Sequence, residues 1–560
     1  MLKNIKYILA AASAVLMLGS CEDFLNTPPV DSLPGEGYYT TPAHVEQGVR
    51  GAYSLLINIE LHQYISFSED RSDNVWVDPQ ANGVRICCES SYWRGSIETS
   101  TELESLWAGW YEVINNANTV LEAIDGVEFS DSKIKDQFTG ELYFLRGYAH
   151  FELARAFGNV PIVDHVLSNS EAAALKQSPA VDVINNRAIV DLKKAEELLP
   201  YEDGMSDANG NHISGQGRAD KIVAQAMLAR VYMTLKGFPF NDATAAESAK
   251  TYLDDVLTYS TNNGGKYWAP TITEWKKQWM TDPSISNKYQ IFAIQHTVAN
   301  GNKVSANSGM SVSGEFFPNG GSISGATNGG EMSPIYPEAR LWYEYETNND
   351  PRGEGLAFMN GYDAYGQTPA YGTMTTTFTT EDGVEFSAVE NAINTKWIPY
   401  YQKRQELGIS FDDASLGSNP MGWPLNFPII RLEDMMLLRA ELYAEEGQTA
   451  EAMKLVNRIR ERAGIALRSE SPSADQAMEY IKTERKLELY MEGVRWFDEV
   501  RYGEWEELTM AKYNLYKDNG QYRTGVDYMN VENHPQRYIL PIPFDELQVV
   551  PGLYEQNPDY

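Results

Sequence analysis

The chain has 560 residues, of which 43% are apolar and 12% aromatic, an ordinary globular composition that excludes a disordered protein. Its formal net charge is −33, which makes repeated contact with nucleic-acid phosphates unfavourable. We therefore expect no nucleic-acid partner.

The first residues have the pattern of a secretory signal. A basic stub precedes an apolar run over residues 7–18, which is too short to cross a bilayer. The run is followed by Gly19, Ser20 and Cys21, a small-residue pattern that looks like a lipobox. We expect residues 1–20 to be removed and Cys21 to carry acyl chains that anchor the protein without spanning the membrane. The alternative is an ordinary cleaved signal followed by an incidental cysteine.

Amphipathic helical patterns dominate the first half of the chain. In residues 42–60, apolar side chains recur at steps of three and four, with Thr41 as N-cap and Pro42 at the first helical position. Comparable patterns, mostly separated by Gly, Pro or Asn/Asp-rich breaks, run over 102–124, 136–157, 182–199, 219–235 and 244–259. These helical pairs have no fixed period, so we interpret them as degenerate repeats.

The middle of the chain changes character. Residues 300–330 are rich in Gly, Ser and Asn, and residues 361–380 add Tyr, Gly and Thr with little helical period. We expect long loops with short hairpins here, and their aromatic content suggests that they line a binding face.

Helical order returns in a tight pair over residues 431–446 and 449–463, which is closed by Gly464 and has the length of one tetratricopeptide unit. A further helix runs from Asp475 towards Met491. Nearby acidic and basic residues at helical spacing, such as Glu484, Arg485 and Arg495, are expected to hold the fold together as ion pairs rather than to act on a ligand.

Several separated segments carry recognisable motifs and together cover nearly the whole mature chain. They include Cys21-Glu22-Asp23-Phe24-Leu25, Leu145-Arg146-Gly147-Tyr148, Gly217-Arg218-Ala219-Asp220-Lys221, Arg431-Leu432-Glu433-Asp434, Asn457-Arg458-Ile459-Arg460, Glu484-Arg485-Lys486-Leu487, Arg495-Trp496-Phe497-Asp498 and Leu540-Pro541-Ile542-Pro543. In this order, the segments resemble the SusD/RagB family.

The resemblance implies a lipid-anchored nutrient-binding protein on the outer face of the outer membrane. Such a protein captures chiefly glycans and delivers them to a SusC-like TonB-dependent transporter. The implied fold is mostly α: an α-solenoid of about four tetratricopeptide-like helix pairs, with an irregular loop and short-strand region packed on it. We expect a signal peptide over 1–20, an N-terminal helical region over 21–260 and a C-terminal region over 261–560, the last two forming one intertwined unit.

The sequence offers no catalytic signature. The seven histidines have no metal-binding spacing, and neither a Gly-x-Ser-x-Gly elbow nor a phosphate loop occurs. The acidic stretch over 202–210 lacks the spacing of a calcium-binding EF-hand, so we interpret it as a solvated turn and expect no cofactor. With 78 acidic residues, the pair of carboxylates that a glycosidase needs cannot be recognised from the sequence.

Aromatic side chains are the remaining candidates for ligand contact, because flat rings stack on the C–H faces of sugars while amides and carboxylates bond to hydroxyls. For each ring, burial in the core is the competing interpretation. The candidate glycan-binding residues are Asp73, Asn74, Trp76, Tyr92, Trp93, Trp268, Phe316 and Tyr336. The alternatives to glycan binding are capture of peptides, as in RagB-like members, a surface glycan hydrolase and a purely structural lipoprotein.

Overall fold

The computed structural model describes residues 37–77, 97–215, 217–279, 287–296, 335–355, 375–389, 396, 426–520 and 536–560. Most of these residues are helical. The α-helices are α1 (Pro42–Ser54), α2 (Leu56–Leu61), α3 (Thr101–Ile124), α4 (Ser132–Phe157), α5 (Asn169–Ala172), α6 (Ala180–Val183), α7 (Ile189–Leu198), α8 (Lys221–Lys236), α9 (Ala245–Asn262), α10 (Ile272–Lys277), α11 (Ala339–Thr347), α12 (Leu432–Glu445), α13 (Thr449–Ala463), α14 (Ala474–Glu488), α15 (Arg495–Tyr502), α16 (Trp505–Asp518) and α17 (Phe544–Val549).

The strands of the described residues form two-stranded antiparallel sheets. The pairs are β1 (Val75–Val77) with β5 (Ile335–Pro337), β2 (Val160–Pro161) with β3 (Gln177–Ser178), β4 (Gln290–Ile294) with β8 (Phe427–Arg431), and β6 (Thr375–Thr379) with β7 (Glu385–Val389). Two of these pairs join distant parts of the chain, so they tie the middle segment to the helices.

The long helices form four packed pairs: α1 with α3, α4 with α7, α8 with α9, and α12 with α13. Neighbouring pairs pack on one another through α3 with α4, α7 with α8, and α9 with α12. This arrangement confirms the predicted solenoid of about four helix pairs. In the sequence, the long middle segment separates the last pair from the first three pairs.

Local sequence explains where the helices begin and how closely they pack. The Thr41 side chain accepts a hydrogen bond from the N–H of His44, and Pro42 occupies the first turn of α1. Gly147 in α4 allows a close helix contact, because a Cβ at this position would lie 2.9 Å from the carbonyl oxygen of Ala188. The predicted helix over 182–199 is confirmed, with a π-helical turn at Ile184–Ala188 between α6 and α7.

The charged motif of α14 and α15 lies inside the protein. The carboxylate of Glu488 accepts hydrogen bonds from Arg352 at 2.9 Å, Arg431 at 2.9 Å and Arg462. Burial alone would raise the pKa of Glu488, but Arg462, Arg431 and Arg352 lower this pKa well below its ordinary value. This geometry confirms the expectation that the motif joins elements of the fold.

Candidate ligand-binding cavity

A cavity with a volume of about 410 Å³ lies where three segments of the chain meet. Its lining residues fall within 202–223, which leads into α8, within 263–268, which follows α9, and within 287–295, which contains β4. We name it the Trp268 cavity, after the tryptophan on its wall. Because α8 and α9 form one helix pair, the cavity is built on the third pair of the solenoid.

Two glycines turn the chain from α9 into the cavity wall. Gly264 and Gly265 have φ angles of 70° and 79°, in the left-handed region that glycine adopts without a steric penalty. The N–H of Trp268 donates to the carbonyl oxygen of Gly265 at 3.0 Å. This turn places Tyr267 and Trp268 among the lining residues.

Three aromatic residues belong to the cavity wall, and each is fixed by other contacts. Tyr267 is buried, and Tyr289 is buried with its hydroxyl donating to the Glu274 carboxylate at 2.7 Å. Trp268 is half-buried, and the guanidinium of Arg458 lies 4.3 Å from the centre of its ring. The rings therefore form a preorganised wall, with part of Trp268 accessible.

Three of the charged residues that line the cavity are engaged in ion pairs within the protein. Lys266 and Glu202 form an ion pair, and Arg218 donates two hydrogen bonds of 2.7 Å to the Glu141 carboxylate. A ligand without formal charge would leave these pairs intact, whereas a charged ligand would compete with them.

Asp220 is the carboxyl of the cavity wall whose pKa is strongly shifted. It is 3% exposed, and its side chain caps α8 by accepting a hydrogen bond from the N–H of Val223 at 2.9 Å. Burial raises the pKa of Asp220 to about 6, although this hydrogen bond and the nearby Lys266 act in the opposite direction. The contacts of Asp220 give it a structural role, and Glu202 is held by Lys266, so neither carboxyl is arranged as a free partner for acid–base chemistry.

Amide groups supply hydrogen-bonding capacity at the cavity. Asn426 donates to Asn287 at 2.8 Å and to Gln295 at 3.1 Å, and both acceptors belong to lining residues. Gln290 also belongs to the lining and is 4% exposed, and among the described residues neither atom of its amide has a hydrogen-bonding partner. An amide both donates and accepts, which matches the hydroxyl groups of a neutral ligand.

Among the predicted site residues, Trp268 lies at this cavity and Trp76 lies elsewhere. Trp76 is 8% exposed and stacks on Tyr516 with ring centres 4.6 Å apart and planes at 6°. It belongs to a small aromatic core with Phe378 and Phe386, which holds the β6–β7 hairpin against α16. The backbone of Tyr336 pairs with that of Trp76 in the β1–β5 sheet.

Asp73 and Asn74 are buried in the ion-pair and hydrogen-bond network around α15. Arg495 donates to both oxygens of Asp73 at 2.7 and 3.0 Å, and Asn74 donates to Glu69 at 2.9 Å. These contacts give both residues a structural role in the described part of the chain. Cys21, Tyr92, Trp93 and Phe316 lie outside the described residues.

Sequence reasoning missed two tyrosines beside the Trp268 cavity. Tyr201 and Tyr259 stack with ring centres 5.1 Å apart and planes at 9°. Tyr201 directly precedes the acidic stretch that was interpreted as a solvated turn, and Tyr259 lies in the last turn of α9. In the sequence, both tyrosines lie at the ends of neighbouring helical patterns, which was the only indication that they could meet. Their stacking depends on how the helices pack, and the local sequence does not reveal that packing.

In the described ranges, no three of the His, Cys, Asp and Glu side chains are arranged so that they could hold a metal ion. None of the described helices combines the length and apolar character that crossing a membrane requires.

Comparison with known proteins identifies the family. A model described as the SusD family matches residues 203–560. The chain belongs to the SusD family. A second model, described as starch-binding and associating with the outer membrane, matches residues 23–233 of this SusD-family protein. The two matches together span the chain from residue 23 to its last residue.

Relatives and solved structures agree with this assignment. A SusD-like protein of Formosa agariphila is 26% identical over 523 residues, which cover 89% of this chain and 91% of the relative. The crystal structure of a SusD homologue from Bacteroides thetaiotaomicron is 20% identical, with a TM-score of 0.70 over 94% of this chain and 98% of the other. A laminarin-binding SusD-like protein is 24% identical, with a TM-score of 0.65 over 93% of this chain and all of the other. The structural likeness confirms the fold.

Proposed function

We propose that this SusD-family protein binds oligo- or polysaccharides at the cell surface without cleaving them. The family description of starch binding with outer-membrane association and the laminarin-binding neighbour support a glycan ligand. We propose further that the bound glycan is delivered to a SusC-like TonB-dependent transporter.

The observation that carries the proposal is the composition of the Trp268 cavity. Aromatic walls beside amide groups suit a neutral ligand that has both C–H faces and hydroxyls. Lys266 is already paired with Glu202 and Arg218 with Glu141, and a neutral ligand leaves these ion pairs intact. We infer that the ligand binds through these preformed contacts and that no acid–base chemistry takes place.

Attachment to the outer membrane is assigned to Cys21. The small-residue motif that ends at this cysteine supports a lipid anchor. An anchored protein keeps its solenoid outside the bilayer, where the Trp268 cavity meets extracellular polysaccharide.

A binding titration tests the glycan proposal. Purified full-length protein is titrated with laminarin, starch and a mixture of peptides, and Trp268→Ala is compared with Trp342→Ala. Trp342 is the matched control, because it is also a half-buried tryptophan but lies on α11 away from the cavity lining. We expect Trp268→Ala to weaken glycan binding about tenfold, which corresponds to about 1.4 kcal/mol, and Trp342→Ala to leave binding unchanged.

The same titration separates the competing functions. Binding of peptides without any glycan would replace the proposal by peptide capture. Release of new reducing ends from either polysaccharide by the native protein would show an enzyme. Equal glycan affinities of the native protein and Trp268→Ala would remove the Trp268 cavity from the proposal.

A further inference from the structure

The Tyr201–Tyr259 pair is the most accessible aromatic surface beside the Trp268 cavity. Tyr201 is 42% exposed, whereas Tyr267 and Tyr289 in the cavity wall are buried. Tyr259 is half-buried and covers one face of the Tyr201 ring, because the two planes differ by only 9°. The pair therefore presents a flat ring to solvent on a rigid support.

The pair is continuous with the cavity through Lys266. The ammonium nitrogen of Lys266 lies 5.6 Å from the ring centre of Tyr259 and 5.2 Å from that of Tyr267. Its carboxylate partner, Glu202, follows Tyr201 directly in the sequence. The same ion pair thus belongs to the cavity wall and adjoins the tyrosine pair.

Exposed tyrosines are common, and Tyr38 shows the ordinary case. Tyr38 is 38% exposed, stacks on His44 and donates a hydrogen bond to Gln47. The Tyr201 hydroxyl, by contrast, has no hydrogen-bonding partner in the described part of the chain, and the ammonium nitrogen of Lys221 lies 5.7 Å from the ring centre. Tyr201 therefore combines an exposed ring with hydrogen-bonding groups that remain open to a ligand.

We propose that the Tyr201–Tyr259 pair is a second stacking subsite that accepts further sugar units of a chain held in the Trp268 cavity. This inference rests on the proposed function and deepens it, because it names the ligand class as a linear oligosaccharide of several units. One sugar unit in the cavity contacts Trp268, and a following unit lays its C–H face on Tyr201. Lys221 and the Tyr201 hydroxyl bond to the hydroxyls of that unit.

Chain-length dependence of binding tests the second subsite. Full-length protein is titrated calorimetrically with laminari-oligosaccharides and malto-oligosaccharides of two to seven units. We expect the affinity of the native protein to rise about tenfold from the disaccharide to the longest chain. Tyr201→Ala should lose most of this gain while keeping its affinity for the disaccharide, and Tyr201→Phe should keep most of it because the ring remains. Tyr38→Ala is the matched control and should behave as the native protein.

The outcomes separate this inference from the proposed function. If the native protein binds oligosaccharides but Tyr201→Ala keeps the full dependence on chain length, the second subsite is wrong and glycan binding stands. Equal affinity for oligosaccharides of every length would also contradict the second subsite and leave glycan binding unaffected. Failure of the native protein to bind either series, laminarin or starch contradicts the proposed function itself. Melting temperatures of all variants establish that an altered affinity does not come from unfolding.

Discussion

Replacement of Asp220 by asparagine changes the pH dependence of stability in a direction fixed by its burial. In the folded protein the pKa of Asp220 is raised to about 6, from an ordinary value of 3.8, chiefly because the carboxyl is buried. At a pH below 3.8, the pKa of the unfolded chain, the carboxyl is protonated in both states and stability is highest. As the pH rises through about 6 the buried carboxyl ionises, and this stability is lost. Asparagine caps a helix about as well as aspartate but carries no charge at any pH.

The magnitude follows from the pKa difference of about 2 units, which corresponds to about 3 kcal/mol between the fully protonated and fully ionised limits. Between pH 5 and pH 8 the native protein loses about 1.4 kcal/mol of this stability, since the group is already almost fully ionised in the unfolded chain at pH 5. Asp220→Asn has no such loss. Relative to the native protein, the variant should therefore gain about 1.4 kcal/mol in free energy of unfolding from pH 5 to pH 8.

Urea unfolding of the full-length protein at pH 5 and pH 8, followed by tryptophan fluorescence, measures this difference. Asp131→Asn is the matched control, because Asp131 caps α4 by accepting from the N–H of Lys133 at 2.9 Å but is exposed. The control should change stability by less than about 0.5 kcal/mol at both pH values. A difference between Asp220→Asn and the native protein that is the same at pH 5 and pH 8 would refute the reasoning.

Three further predictions concern the buried network and the anchor. Burial raises the pKa of Glu69 to about 7, so Glu69→Gln should increase the free energy of unfolding at pH 8 by up to about 3 kcal/mol. A urea midpoint lower than that of the native protein would contradict this expectation. Arg431→Met leaves Glu488 and Glu492 without one of their buried partners and should lower the free energy of unfolding by about 3–5 kcal/mol. An unchanged urea midpoint would mean that the network adds no stability. Cys21→Ser should move the protein from the membrane pellet to the soluble fraction, and its retention in the pellet would count against the lipid anchor.

The helices were predictable where the local signals agreed with one another. The prediction for α13 matches both observed ends, because Gly447 and Gly464 bracket an apolar pattern with helical spacing. By contrast, α11 was missed, since Ala339–Thr347 has only 9 residues and its apolar side chains are mostly aromatic. Such a short segment becomes helical through burial of Leu341 and Tyr345 in the main core, which is a tertiary effect.

The site was less predictable than the fold, because the burial of a ring depends on residues that are distant in the sequence. Trp76 is held by Tyr516 of α16, and nothing near Trp76 indicates that contact. Trp268 lies at a cavity because Gly264 and Gly265 turn the chain after α9, and this signal was local. Tyr201 became a candidate only once α9 had placed Tyr259 against it.

The family motifs around Arg431 and Arg495 and the exposed ring of Tyr201 occupy different layers of the molecule, and this separation has a physical reason. Arg431, Glu488 and Arg495 are buried in ion-pair clusters, and removing one partner leaves an uncompensated charge in the interior. Such positions tolerate little change, so they identify the solenoid without identifying its ligand. Tyr201 lies at the surface outside every quoted motif, where a substitution costs little stability. Resemblance at these motifs therefore predicts the scaffold, and we propose that the choice of glycan is decided by the Trp268 cavity and the Tyr201–Tyr259 pair.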